Sequence, residues 1–350
     1  MKKILFTGGG SAGHVVPNLA LIEDLTTGGI ADVCYMGTEG IEKNIIKERK
    51  IPYYSIDCPK LIREISFSAL KNNLKIPSAF RKAVKSAEEG LKIIRPDLVF
   101  SKGGYVSLPV IYAAHKMKIP CFSHESDFTT GLANRLTANK CECVFTSFPE
   151  TAEKLRRGKY SGAPIRRSVF TATRAQARKF FDIPETEKVV LIFGGGSGSL
   201  AINNAVRAKL RVLTERYTLL HICGKGNLVE SNINRYKQFE YISDMGKAYA
   251  CADVVLSRAG AGTVFEILAL KKPAILVPLE GQTRGDQKQN AEYFRSKELC
   301  RVLAQKDLGR LPTEIEKAFR DTTLQQNLKE TTFTQGNRNI LRELKKYLRD

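Results

Sequence analysis

Residues 2–18 read KKILFTGGGSAGHVVPN, a short apolar run that leads into a glycine-rich turn. Gly8, Gly10 and Gly13 satisfy the spacing G-x-G-x-x-G, in which a strand passes through a tight turn into a helix. Backbone N–H groups at such a helix start attract anions, above all phosphate. The stretch therefore predicts a doubly wound α/β domain with a phosphate-binding loop.

The same pattern returns later in the chain, where KVVLIFGGGSGS (188–199) resembles KKILFTGGGSAG (2–13). Apolar runs alternate with amphipathic stretches after each copy, which is typical of parallel sheets covered by helices on both faces. The predicted strands lie at 2–7, 33–36, 53–56, 97–101, 119–123, 143–147, 188–193, 217–224, 252–257 and 273–279. These strands predict two similar doubly wound parallel-sheet domains.

The domain boundary is expected within YSGAPIRRSVF (160–170), where Gly162 and Pro164 interrupt the pattern. This gives a first domain at 1–163 and a second at 164–336. Apolar residues at 340, 341, 344, 347 and 348 form one face of a helix. We expect this terminal helix, within 337–350, to dock back on the first domain.

The composition points to an anionic partner, because the formal net charge is +20. The eight scattered cysteines include no C-x-x-C pair, and the four histidines show no H-x-x-x-H spacing, so no metal site is predicted. No nucleic-acid-binding module is recognisable. The N-terminal apolar run is too short for a signal peptide, and no run reaches membrane-spanning length, so a cytoplasmic chain is expected.

Residues 61–92 interleave leucine, isoleucine and phenylalanine with basic side chains, which suits a surface of anionic lipid. An ordinary surface helix would explain the same pattern. The basic residues of this segment are Arg63, Lys71, Lys75, Arg81, Lys82 and Lys85.

Three motifs carry candidate chemistry, and each keeps a second interpretation. The first glycine loop could bind a nicotinamide dinucleotide or another phosphate-bearing ligand. A nicotinamide-binding domain would need an acidic residue after the second strand, and Glu39 comes late for that role. Thr263 and Glu266 have capping-box spacing, although Glu266 could instead bind a ribose. His124 and Glu125 end a predicted strand, where ligands of open α/β sheets bind, but a solvated loop is the alternative.

Five blocks of the chain together resemble the MurG family of UDP-GlcNAc transferases. They are GGGSAGHVVPN (8–18), SKGGYVSLP (101–109) with HESDFTTGLANR (124–135), GGGSGSLAIN (194–203), YISDMGKAYACADVVLSRAGAGTVFEI (241–267) and GDQKQNA (285–291). The resemblance runs in order over nearly the whole chain. It implies the GT-B fold, with two Rossmann-like domains facing each other across a cleft, and no cofactor or metal.

The resemblance also implies roles for individual residues. His14 would be the base, with His124 and Glu125 as further catalytic candidates on the acceptor side. Ile242 would pack near the uracil, Glu266 would bind the ribose, and Gln287 would meet the GlcNAc hydroxyls. The remaining substrate-binding candidates are Ser11, Ala12, Gly13, Asp127, Asn134, Arg166, Ser197, Ala261, Gly262, Thr263, Val264 and Phe265.

The implied reaction is inverting transfer of GlcNAc from UDP-GlcNAc to the C4 hydroxyl of MurNAc in lipid I, which yields lipid II during peptidoglycan synthesis. The implied location is the cytoplasmic face of the cell membrane, with an anionic leaflet as a further partner. Other possibilities are a GT-B transferase with another lipid or small-molecule acceptor, a nicotinamide oxidoreductase, and a non-enzymatic membrane module.

Overall fold

The computed structural model describes residues 2–59, 76–196, 198–281, 285–333 and 335–348. The chain divides into two compact units. Unit 1 comprises Met1–Pro164 together with Thr334–Asp350, and unit 2 comprises Ile165–Phe333. Each unit is built on one sheet, and every strand pair in both sheets is parallel.

The described residues of unit 1 form seven strands in the order β3-β2-β1-β4-β5-β6-β7. The strands are β1 Lys3–Thr7, β2 Asp32–Gly37, β3 Tyr53–Ser55, β4 Leu98–Ser101, β5 Cys121–Glu125, β6 Cys143–Thr146 and β7 Gly158–Tyr160. The helices preceding unit 2 are α1 Val16–Thr27, α2 Ile41–Glu48, α3 Ile76–Ile94, α4 Ser107–Lys116, α5 Leu132–Thr137 and α6 Pro149–Glu153.

Six strands lie in the described part of unit 2, in the order β10-β9-β8-β11-β12-β13. The strands are β8 Val189–Phe193, β9 Thr218–Ile222, β10 Tyr236–Phe239, β11 Val254–Ser257, β12 Ala274–Leu276 and β13 Arg301–Val302. The helices are α7 Arg174–Phe180, α8 Leu200–Ala208, α9 Leu210–Thr214, α10 Met245–Cys251, α11 Ala261–Ala269, α12 Asp286–Arg295, α13 Leu311–Arg320 and α14 Thr322–Glu330. Helix α15, Gly336–Leu344, returns to unit 1.

Two apolar layers bury β1, an inner strand of the unit 1 sheet. Ile4 and Phe6 belong to one hydrophobic cluster, whereas Leu5 belongs to another on the opposite face. Because side chains alternate along a strand, a strand that is apolar at every position must be covered on both faces. The all-parallel sheets confirm the predicted doubly wound architecture.

Helix α15 completes the first of these clusters. Ile340, Leu341 and Leu344 pack in the cluster that contains Ile4 and Phe6. Polar contacts fix the start of the helix, since Asn337 Nδ2 donates to Asp24 Oδ2 at 2.8 Å and Asn339 Nδ2 donates to the Ser161 carbonyl at 3.0 Å.

Three strands were not predicted from the sequence, and all are short. β7, β10 and β13 lie at sheet edges, and their residues include partly exposed polar side chains. Edge strands are often short and carry charged side chains, so they lack the apolar run that marks an inner strand. Within the described ranges, no helix is both long and apolar enough to cross a membrane.

The strand order places a topological switch point in each unit. β1 is flanked by β2 and β4, and β8 by β9 and β11. At such a switch point, the connections that follow two neighbouring strands run to opposite faces of the sheet. This opens a crevice at the carboxyl ends of those strands. The two glycine loops follow β1 and β8 directly, so each lies at a switch point.

Candidate functional site

The glycine loop of unit 1 is packed against the protein itself. A Cβ atom at Gly8 would lie 2.7 Å from the His14 carbonyl oxygen, and one at Gly10 would lie 2.7 Å from the Tyr105 ring. A Cβ atom at Gly9 would lie 2.5 Å from the carboxylate of Glu42. The glycines of this loop therefore make room for groups of the chain, and Glu42 is a residue that sequence reasoning missed.

His14 ends a turn of 3-10 helix, Ala12–His14, just before α1. Its Nδ1 lies 3.0 Å from the Gly9 carbonyl oxygen and 3.1 Å from Ser11 Oγ. A carbonyl oxygen can only accept, so the hydrogen bond to Gly9 requires the proton on Nδ1. Nε2 then carries the lone pair that a general base needs. Ser11 and Gly13 are exposed beside it, and Ala12 is half-buried.

His124 lies inside unit 1 and is 0% exposed. Its Nε2 is 3.3 Å from the Gly162 carbonyl oxygen, and its Nδ1 has no hydrogen-bond partner among the described residues. Burial holds the pKa of His124 well below its usual value, and the nearby Lys102 ammonium lowers it further. This placement makes His124 a neutral packing residue, so the geometry does not support its predicted catalytic role.

Glu125 organises the loop that follows β5. Its Oε1 accepts from the Asp127 backbone N–H at 3.1 Å, and its Oε2 accepts from the Gly131 N–H at 2.7 Å. Asn134 Nδ2 donates to the same Oε2 at 2.9 Å, while its Oδ1 accepts from Ser123 Oγ at 2.7 Å. Glu125 and Asn134 thus hold one another and the loop, which favours a structural role for both. Asp127 lies half-buried on that loop.

The glycine loop of unit 2 differs from that of unit 1 because it is open. A Cβ atom at Gly195 or Gly196 would meet no atom within 4 Å. Gly198 has φ +77° and a Cβ there would lie 2.2 Å from the Cys223 carbonyl oxygen, so only glycine fits. Ser199 caps α8, since its hydroxyl accepts from the Ile202 N–H at 3.4 Å. The predicted site residue Ser197 lies outside the described residues.

Arg258 connects this loop to the neighbouring strand ends and was also missed from the sequence. One terminal nitrogen donates to Ser199 Oγ at 2.9 Å, and the other donates to the Val277 carbonyl at 3.2 Å. The guanidinium reaches both because its donors fan out in a plane. Arg258 thereby fixes the helix cap beside the open glycines.

Glu266 and Tyr249 are buried, and both lie in a cluster with the half-buried Arg166. Arg166 donates to Glu266 Oε1 from Nε at 3.0 Å and from a terminal nitrogen at 2.8 Å, and the Tyr249 hydroxyl donates to Oε2 at 3.1 Å. Burial, and then the Glu266 charge, raise the pKa of Tyr249 well above its usual value. A carboxylate has about four lone-pair sites, so Oε2 retains one for a further donor such as a ribose hydroxyl.

The start of α11 exposes small residues. Gly260 is the N-cap, which places Thr263 inside the helix, so the capping-box interpretation of Thr263 and Glu266 is wrong. Gly262 is exposed and Thr263 half-buried, whereas Ala261, Val264 and Phe265 are buried. A Cβ atom at Gly260 or Gly262 would meet nothing within 4 Å.

The two remaining predicted residues of unit 2 also have defined surroundings. Ile242 is buried, and Gln287 Oε1 accepts from the Leu279 backbone N–H at 3.0 Å. Among the residues that the structure describes, no group of three or more His, Cys, Asp or Glu side chains could hold a metal ion.

Two family models match the chain. The glycosyltransferase family 28 N-terminal domain covers residues 4–146, and the glycosyltransferase family 28 C-terminal domain covers residues 189–345. This chain belongs to glycosyltransferase family 28. The two parallel-sheet units confirm the GT-B fold predicted from the resemblance.

Curated relatives of this family 28 glycosyltransferase carry the name UDP-N-acetylglucosamine–N-acetylmuramyl-(pentapeptide) pyrophosphoryl-undecaprenol N-acetylglucosamine transferase. One from Clostridium perfringens is 44% identical over 314 residues, which span 88% of this chain and 87% of the relative. One from Bacillus cereus is 42% identical over 88% of both chains. The crystal structure of Acinetobacter baumannii MurG is 25% identical, with TM-score 0.75 over 99% of this chain and 100% of that one. The resemblance to the MurG family is confirmed.

The contacts of Glu125 lead to a stability prediction. We expect Glu125→Gln to destabilise the protein by about 1–3 kcal/mol, because an amide nitrogen would replace an oxygen that accepts from backbone N–H groups. Urea unfolding would measure the loss. Glu142→Gln removes the same charge from an exposed position of unit 1, where only a surface ion pair with Arg157 is lost, and should change stability by less than about 1 kcal/mol. Equal stability of the two variants would contradict the structural role of Glu125.

Proposed function

We propose that this protein transfers GlcNAc from UDP-GlcNAc to the C4 hydroxyl of MurNAc in lipid I, forming the β-1,4 link of lipid II in peptidoglycan synthesis. The observation that carries the proposal is the 44% identity, over 88% of the chain, to a relative named for this transfer. The arrangement of the two glycine loops supports it, since one is open to a ligand and the other positions a base.

The donor fits unit 2. The open glycines at 195 and 196 leave space for a diphosphate at the start of α8, where backbone N–H groups and the helix dipole favour negative charge. Glu266 offers its remaining lone pair to the ribose, while Arg166 and Tyr249 hold the carboxylate. Ile242 and Gln287 are the proposed contacts for the uracil and the GlcNAc hydroxyls, and Ser197 a further donor contact.

The base fits unit 1. His14 Nε2 takes the proton of the C4 hydroxyl as the oxygen attacks the anomeric carbon of GlcNAc. The new C–O bond forms as the bond to the UDP oxygen breaks, and UDP leaves with the electron pair. Attack from the face opposite the leaving group inverts the anomeric centre. Loop N–H groups stabilise the negative charge that develops on UDP.

A nicotinamide oxidoreductase fits unit 1 poorly. The candidate ribose acid, Glu39, is exposed and bound to Lys43 and Ser55, and these contacts hold its pKa below the usual value. A GT-B transferase with another lipid or small-molecule acceptor remains the alternative. Transfer to such an acceptor with none to lipid I would favour it.

We place the protein at the cytoplasmic face of the cell membrane as a peripheral protein. The supporting surface is the first half of α3, where Arg81, Lys82 and Lys85 are exposed. Each cation close to an anionic leaflet contributes about 1 kcal/mol of attraction. The rest of the predicted lipid-binding segment, with Arg63, Lys71 and Lys75, lies outside the described residues.

Donor binding provides the first test. We expect calorimetry to detect binding of UDP-GlcNAc but no binding of NADH. Gly196→Ala should weaken the binding of UDP-GlcNAc without lowering the melting temperature of the protein, since the added methyl group would enter open space. Gly309→Ala, also at a glycine with open surroundings but distant in sequence from the loop, is the control. NADH binding alone would overturn the donor assignment.

Catalysis provides the second test. We expect His14→Ala to lower kcat for transfer from UDP-GlcNAc to lipid I by roughly a hundredfold to ten-thousandfold, because a general base contributes about that much. Its UDP-GlcNAc affinity should be unchanged. His115→Ala, which alters an exposed histidine, should keep full activity. Full activity of His14→Ala would exclude His14 as the base.

Membrane binding provides the third test. We expect reversal of Arg81, Lys82 and Lys85 to glutamate to weaken binding to anionic vesicles by at least about 3 kcal/mol, or more than a hundredfold. Reversal of three exposed cations of unit 2, Lys209, Arg211 and Lys306, is the matched control. Vesicle sedimentation at low and high salt would measure both, and equal losses would contradict a specific surface.

A further inference from the structure

Glu42 is a buried carboxylate in the first turn of α2, with 0% of its surface exposed. Its Oε1 accepts from the Thr38 N–H at 3.1 Å and from the Thr38 hydroxyl at 2.6 Å. Its Oε2 accepts from the Gly10 N–H at 3.1 Å. Each of these contacts donates to the carboxylate, so the site is built to hold a negative charge.

The Gly10 N–H belongs to the same peptide group as the Gly9 carbonyl, and that carbonyl accepts from His14 Nδ1 at 3.0 Å. The N–H and C=O of a trans peptide point in opposite directions from one rigid plane. Glu42 therefore lies on one side of this peptide and His14 on the other. One amide separates the carboxylate from the imidazole.

We propose that Glu42 is a positioning residue for the base, acting on His14 through the Gly9–Gly10 peptide; this rests on the transfer reaction proposed above. A peptide that donates its N–H to a carboxylate becomes polarised, and its carbonyl becomes a stronger acceptor. The stronger carbonyl holds the proton on Nδ1 and stabilises the imidazolium that forms when Nε2 takes a proton. In Ser-His-Asp hydrolases a buried carboxylate does this by direct contact.

The packing around this peptide keeps it in place. A Cβ atom at Gly9 would lie 2.5 Å from the Glu42 carboxylate, and one at Gly104 would lie 2.5 Å from the Gly9 carbonyl oxygen. Protein groups thus pack closely against both Gly9 and its carbonyl oxygen. Neither glycine can gain a side chain without displacing the link between Glu42 and His14.

Other ionisable groups face this link from neighbouring strands and loops. The Tyr35 hydroxyl donates to the Gly8 carbonyl at 2.7 Å, and the Tyr53 hydroxyl donates to the Thr38 carbonyl. Burial raises the pKa of Tyr35 and of Tyr53, so both stay neutral at pH 5–8. Tyr105 lies against Gly10, and Lys102 lies against Gly8. Burial lowers the pKa of Lys102. A pH profile must therefore be assigned to His14 directly.

Nuclear magnetic resonance of the ligand-free protein can follow the imidazole signals of His14 as the pH changes. These signals are assigned to His14 because they are absent from the spectrum of His14→Ala. We expect Glu42→Gln to lower the pKa of His14 and to reduce the Nδ1–H tautomer, since the charge that stabilises the imidazolium is gone. Glu48→Gln removes a carboxylate from an exposed position of the same helix and should change neither. An unchanged His14 titration in folded Glu42→Gln would overturn the proposal.

Kinetics provides a readout that a purely structural role would not move. We expect Glu42→Gln to lower kcat roughly tenfold, a part of what a general base contributes. The acidic limb of its pH profile should move to lower pH, with UDP-GlcNAc affinity unchanged. In a His14→Ala background the effect of Glu42→Gln should vanish, because coupled residues are not additive. A loss that persists there, equal at every pH, would overturn the proposal.

The two readouts separate this inference from the proposed function. A shifted His14 titration with no transfer to lipid I in the wild type would refute the function alone. Transfer by the wild type with an unshifted titration would refute the link alone. If Glu42→Gln does not fold, Glu42→Asp keeps the charge with a shorter reach. The pKa of His14 should be lower in Glu42→Asp than in Glu48→Gln, and an equal pKa in the two variants would count against the link.

Discussion

The parallel pairing of β1 with β4 is the constraint on which the geometry of unit 1 depends. Residues Ile4 to Thr7 pair with Leu98 to Ser101, so both strands end at the same edge of the sheet. The chain leaves that edge through Gly8 on one side and through Lys102 on the other. The loop that carries His14 can pack only against the turns that this pairing places beside it. β8 and β11 impose the same arrangement on unit 2.

The two glycine loops share the letters GGGS, yet they use glycine for different ends. In unit 2 the absent side chains leave open space at residues 195 and 196, which suits the approach of a phosphate-bearing ligand. In unit 1 the absent side chains admit Glu42 and Tyr105, which turns the loop into a support for His14. The same strand–turn–helix pattern thus has different surroundings in the two units, because the backbone pattern alone does not determine what fills the space.

Apolar runs such as 4–6 and 189–193 predicted the inner strands of both sheets, since a strand covered on two faces is apolar along its length, but the short edge strands β7, β10 and β13 carry no such run. The candidate site was harder to predict. The sequence offers Glu39 as the acid after β2, but Glu42 is the carboxylate that turns inward, and a pattern of charges does not reveal the direction of a side chain. The pairing of Arg166 with Glu266 joins residues 100 positions apart, and no local signal reports such a contact. His124 looked like a site residue because it ends a strand, although its ring points into the core.

The return of helix α15 to unit 1 has a consequence for synthesis on the ribosome. Ile340, Leu341 and Leu344 belong to the same apolar cluster as Ile4 and Phe6, so the core around β1 is complete only when residues more than 330 positions later have been made. At about 5–20 residues per second, the chain between the end of β7 and α15 takes on the order of ten seconds or more to appear. Unit 2, although later in sequence, has all its strands available before the core of unit 1 can close. The nascent chain therefore exposes part of an unfinished apolar surface during translation, and the order of folding need not follow the order of synthesis.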